Sequence, residues 1–152
     1  MTDVGTSGSG GLALDQYSAT LPPGWRPGLT HFPFRRYLER MRLWYRMNTL
    51  HPSQLGPAVA GRLQGKPFNM AMRLRITVRD GRTLVGDNAL AYEGLPADDQ
   101  TGTVACESGL QVLIRAMQSR YGTEDEADLV ESLDRFFDFR RGNLSLIEYV
   151  TE

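Results

Sequence analysis

Apolar side chains recur at three- and four-residue steps through two long blocks of this 152-residue chain, a period that amphipathic helix satisfies and strand does not. In the first block Phe34, Tyr37, Leu38, Met41, Trp44, Tyr45 and Asn48 share one face, and the pattern predicts a helix over 34–48. The other side carries Arg35, Arg36, Glu39, Arg40, Arg42 and Arg46, which makes this a basic amphipathic helix. In the second block Leu110, Leu113, Ile114, Met117 and Tyr121 predict a helix over 107–121 that Gly122 ends. A third stripe, Leu129, Leu133, Phe136 and Phe137, follows Thr123-Glu124-Asp125-Glu126, which reads as a capping box. Ser145 opens a last apolar turn through Val150 whose pattern is still running at Glu152, as in a segment truncated at its C-terminus. Trp44, Leu113, Met117, Leu133 and Phe136 are the expected core.

Shorter elements fill the middle. Pro57 suits the first position of a short helix ending near Gln64, and Phe68, Ala71, Met72 and Leu74 predict another over 68–74. Ile76 and Val78, then Asp80-Gly81, then Leu84 and Val85 predict a hairpin with a two-residue type I′ connection. A polar connector follows over 86–102, with one helical turn at Asn88 to Tyr92. Ahead of these elements, residues 1–20 read as a flexible leader rich in Gly, Ser and Thr. Residues 21–33, with Pro22, Pro23, Pro27 and Pro33, read as an extended strap. Trp25 in that strap is either a pin to the domain surface or an exposed contact. The fold class is therefore mainly α: a small bundle of about five to six helices over 34–152, with a short β-hairpin around residues 76–85 inside an insertion over 76–103.

Chemistry leaves few traces in this chain. Cys106 is the only cysteine, which excludes a disulfide framework and any metal site needing two thiolates. His31 and His51 lie in different segments beside prolines and fit surface or capping roles better than catalysis. Gly8, Gly10 and Gly11 follow no strand and form no phosphate loop, and no G-x-x-x-x-G-K-[ST] occurs. Asp98-Asp99 and Glu124-Asp125-Glu126 have adequate structural reasons at a loop and a helix start. No catalytic residue, metal site, cofactor or small-molecule substrate is expected, and the chain reads as a non-enzyme. No apolar run approaches the roughly 18 residues of a membrane span, and the N-terminus lacks the features of a secretory signal. A cytoplasmic or nuclear protein without a membrane partner is the expectation.

Charge is the informative property. Up to Asp80 there are 11 basic and 4 acidic residues, and beyond it 6 basic and 14 acidic, so a net charge of -1 hides a dipole. All basic residues but Lys66 are Arg, the side chain suited to bidentate contact with phosphate or carboxylate. Arg35, Arg36, Arg40, Arg42, Arg46, Arg73 and Arg75 are the candidate contacts for a nucleic acid or a protein partner. RNA or the acidic side of a second copy would suit them, against the plainer reading of solvated faces and intramolecular partners.

With the helices in place, the order of motifs from Trp25 to Glu152 resembles the capsid region of retrotransposon Gag proteins of the copia and gypsy kind. An aromatic and basic first helix is followed by a Leu-x-Gly element, here Leu63-Gln64-Gly65. Later come Leu133 and Phe136, then Phe139-Arg140, then Leu146-Ile147-Glu148-Tyr149. The hairpin stretch and Pro67 depart from that pattern, and no C-x-x-C-x-x-x-x-H-x-x-x-x-C zinc knuckle is present. The resemblance implies a non-enzymatic helical capsid domain that self-associates into a particle enclosing the element's RNA. Two alternatives accompany it: an RNA-binding module acting through the Arg face, and a host adaptor derived from such an element.

Overall fold

A computed structural model describes residues 13–98, 100–102, 104–122 and 133 of the chain. Its elements in order are α1 (Phe34–Met47), α2 (Pro52–Ala60), α3 (Lys66–Met72), β1 (Arg75–Thr77), β2 (Thr83–Val85), α4 (Asp87–Leu90) and α5 (Gly109–Tyr121). The architecture is mainly helical with one antiparallel two-stranded hairpin, as the periodicity predicts. The predicted elements beyond Gly122, and Phe136 with them, lie outside the described residues. Leu133 is the exception and is fully buried in the core, as are Trp44, Leu113 and Met117.

Helix α1 follows its stripe. Phe34, Tyr37, Leu38, Met41, Trp44 and Tyr45 are all buried, each worth roughly 1.5–3 kcal/mol when an apolar side chain of this size leaves water. Asn48, the polar member of the stripe, is where the helix stops. Its Nδ2 donates to the Tyr45 carbonyl at 2.9 Å, and its Oδ1 accepts from the Leu50 N–H at 3.1 Å. The side chain thus satisfies a carbonyl that the ending helix leaves without a partner.

The start of α2 differs from the sequence expectation: the helix begins at Pro52, and Pro57 lies inside it. His51 supplies the reason. Its Nδ1 accepts the Ser53 N–H at 3.1 Å while Gln54 Oε1 accepts the His51 N–H at 3.1 Å, a reciprocal cap built on an imidazole. Pro52 then occupies a first-turn position, where a missing N–H costs nothing. Pro57 forfeits one internal hydrogen bond, and burial of Leu55, Val59 and Ala60 offsets that loss. Helix α3 likewise starts earlier than predicted, at Lys66, because Pro67 is accommodated in its first turn. The turn predicted at 88–92 is α4, displaced to Asp87–Leu90.

The hairpin pairs Arg75 with Val85, Ile76 with Leu84 and Thr77 with Thr83. Its connection is not the two-residue type I′ turn. The Gly81 N–H donates to the Val78 carbonyl at 2.9 Å, and the Val78 N–H donates to the Arg82 carbonyl at 2.9 Å. Three residues, Arg79 to Gly81, therefore form the loop, and only the last must take positive φ, which Gly81 does at 94°. Asp80 serves the turn with its side chain instead. It accepts from the Arg82 N–H at 3.1 Å and from Arg82 Nε at 2.8 Å. The backbone hydrogen bond and the guanidinium hold its carboxyl below the usual range. Its contribution to the turn is thus present above the ordinary carboxylate pKa and is lost as pH falls through the lowered value.

The strap is part of the body. Trp25 is buried, forms a parallel bridge with Leu63, and donates through Nε1 to the Phe32 carbonyl at 2.9 Å. Its ring meets Phe34 at 5.2 Å and Tyr121 at 5.1 Å between centroids, both edge-on, tying the strap to α1 and α5. Of the two roles open to Trp25, the pin is the observed one. Helix α5 carries the other half of the core through Leu110, Leu113, Ile114 and Met117. Its Ser108 side chain accepts from the Gln111 N–H at 3.2 Å, and Gln111 Oε1 accepts in return from the Ser108 N–H at 2.9 Å. Ser108→Ala should cost about 1 kcal/mol. A urea titration of the two chains reads that loss, and an unchanged midpoint would contradict the capping role.

Candidate functional site

The burial of one face of α1 decides what its other face shows. Two outward rows follow from the helical repeat: Arg35, Glu39, Arg42, Arg46 and, beside it, Arg36, Arg40, Leu43, Met47. Arg35 and Arg36 are exposed and converge on Glu39, at 3.6 and 3.3 Å. Such surface pairs contribute little and leave the guanidinium groups accessible. Arg40 is different. It is half-buried, with its guanidinium 6.0 Å from the centre of the Phe32 ring. That cation–π contact fastens the end of the strap to α1, so Arg40 serves the fold more than the surface. Arg42 and Arg46 are exposed.

Arg73 and Arg75, the remaining predicted contacts, are also exposed but stand on other elements, after α3 and at the start of β1. Five predicted arginines thus share α1, and two lie apart from it in the chain. The structure adds two residues that the sequence reading passed over. Leu43 is 54% exposed and Met47 is 48% exposed, four residues apart on the same outward row. Their signal was present: both fall off the buried stripe, and both interrupt an otherwise charged side of the helix. No acidic residue occurs anywhere over 40–79, which holds eight basic ones. Beyond Glu39, the outward face of α1 is therefore a basic ridge that carries an apolar pair.

Arg62 was not a predicted contact, and it has a structural task. Nε donates to the Pro22 carbonyl at 3.0 Å, and one terminal nitrogen donates to the carbonyls of Ala13 and Gln16, each at 3.0 Å. This side chain clasps residues 13–22, which the Thr49 N–H also holds through the Ala19 carbonyl at 3.0 Å. Burial lowers the Arg62 pKa, an effect opposed by its attraction to the Tyr37 hydroxyl, which full burial pushes up. Both groups keep their ordinary protonation near neutral pH.

A second surface takes shape on the hairpin side of the molecule. Leu95 and Cys106 bond to each other's backbone at 2.9 and 2.8 Å. Arg79 donates to the Val104 carbonyl at 2.6 Å and to Cys106 Sγ at 3.1 Å. This loop is fixed in place at its base, where Val104 is 79% exposed and Leu95 38%. Over 83–114 there is no Lys or Arg, whereas Asp87, Glu93, Asp98, Asp99 and Glu107 are acidic. Glu107 pairs with Arg115, while Asp87, Glu93 and Asp98 are exposed.

His51 is spent on its cap and His31 is exposed. Among the described residues, no three His, Cys, Asp or Glu side chains gather as a metal site would require. Among them too, no helix is long and apolar enough to cross a membrane. The chain matches no family model, no curated protein and no solved structure.

Proposed function

We propose that this chain is a non-enzymatic self-association module of the retrotransposon Gag capsid type, acting in the cytoplasm or nucleus and built to assemble around the element's RNA. The observation that carries the reading is the outward face of α1. A helix that buries six large side chains on one side leaves Leu43 and Met47 in water on the other, framed by Arg42 and Arg46. An i, i+4 apolar pair exposed on a rigid helix has no role in the chain's own core, and it suits a protein partner. The helical order and the Leu63-Gln64-Gly65 element after the basic helix add the resemblance. Contacts of this size are weak singly, so assembly would draw on many copies.

The test is mass against concentration, by light scattering after size exclusion, with and without added RNA. Growth well beyond the 17.0 kDa monomer as concentration rises is the expected result. A strict monomer at every concentration and salt would sink the reading. A second reading, RNA binding by the exposed Arg42, Arg46, Arg73 and Arg75, is favoured by the absence of acid over 40–79. Phosphate contacts release counterions, so such binding must weaken steeply with salt.

A further inference from the structure

The two surfaces described above complement each other in both charge and polarity. One is basic around Leu43 and Met47, the other acidic around Leu95 and Val104 at the base of its loop, and both are exposed, so neither covers the other within one chain. We infer that they are the two halves of one head-to-tail contact: the α1 ridge of Arg42, Leu43, Arg46 and Met47 docks on the Glu93, Leu95, Asp98 and Val104 loop of a second copy. The inference rests on the self-association reading and specifies its partner surface.

Three physical features favour this occupant. First, charge is segregated along the chain, with eight basic residues and no acid over 40–79 and five acids and no base over 83–114, even though Glu39 precedes the ridge on α1 and Arg79 ties the base of the loop. Like surfaces would repel, so a contact of the ridge with itself is disfavoured, and the ridge must find the acidic loop. Second, each surface offers two partly exposed apolar side chains for the desolvated centre of an interface, with charges at its rim. Third, both are held rigid. The ridge is on a four-turn helix fastened by its core stripe, and the base of the loop is tied by the Leu95 to Cys106 bonds and by Arg79, so little ordering cost attends docking there. Because the two halves differ, the contact is heterologous. It leaves a free ridge and a free loop on every dimer and so repeats, closing into a ring or continuing as a shell.

That property gives a mixing test. The ridge variant is Arg42→Glu with Arg46→Glu, which keeps its loop; the loop variant is Glu93→Gln, Asp98→Asn and Val104→Ser, which keeps its ridge. All five positions are exposed, and matching thermal melts establish that both variants fold. At concentrations where the unaltered chain grows past a dimer without RNA, each variant alone should stay at the monomer mass. Mixed in equal amounts, they should form a species of twice that mass and no larger, since one intact contact remains and both ends are then dead. If the unaltered chain grows but either variant grows equally well, or the mixture stays monomeric, this contact is wrong while self-association stands. A strictly monomeric unaltered chain overturns both. Growth that requires RNA and is lost on nuclease treatment overturns the contact by assigning the ridge to phosphate.

Discussion

Trp25→Ala should remove about 3 to 5 kcal/mol of stability, a large share of the roughly 5 to 15 kcal/mol that holds a domain folded. The indole is buried, touches Phe34, Tyr37 and Tyr121, and donates to the Phe32 carbonyl. Truncation leaves a cavity lined by the rings of Phe34, Tyr37 and Tyr121, and it orphans the Phe32 carbonyl. The strap also loses its central anchor, so the effect should extend to residues 13–22, which Arg62 and the Thr49 N–H on the Ala19 carbonyl also hold. Urea denaturation followed by far-UV circular dichroism gives the size of the loss. Limited proteolysis should show earlier cleavage before Phe34. A loss below 1 kcal/mol would mean that the strap is dispensable to the core.

The second large effect concerns two glycines that clamp α4 from either side. A Cβ on Gly56 would lie 2.0 Å from the Leu90 carbonyl oxygen, and one on Gly109 would lie 2.0 Å from that of Ala89. Both obstacles are backbone, which cannot swing aside as a side chain does. Alanine is worth about 1 kcal/mol over glycine within a helix, so packing and propensity oppose each other at both sites. Overpacking of this severity costs typically 1–3 kcal/mol and sometimes more, and it should win. Gly56→Ala and Gly109→Ala should each lower the melting midpoint. The double variant should lose at least the sum, because α4 lies between the two helices and a displacement that relieves one clash tightens the other. Either single variant gaining stability would show that α4 floats between α2 and α5.

These two sites also mark where sequence reasoning ran out. Gly56 reads as a chain breaker beside Pro57, whereas it is the point at which α2 meets α4, and nothing in the local pattern announces that approach. A capping role for His51 is legible beside Pro52, but its reciprocal partnership with Gln54 exists only once the first turn has formed. Arg62 reaches carbonyls 40 to 49 residues away in sequence, beyond the range of any local rule. Arg40 belongs by spacing to the charged face, and its guanidinium lies over the Phe32 ring instead.

What the sequence by itself determined is the helical class, the cores of α1 and α5, the buried places of Trp44, Leu113 and Met117, and the site of the hairpin. Each follows from a period or a turn residue, which are interactions between near neighbours and so are written locally. Tertiary structure alone decided how the strap is pinned, which glycines must stay glycine, and that Leu43, Met47, Leu95 and Val104 remain in water. Burial is a property of everything that packs around a residue, and a helical stripe says only which side chains share a face, not which face the rest of the chain will cover.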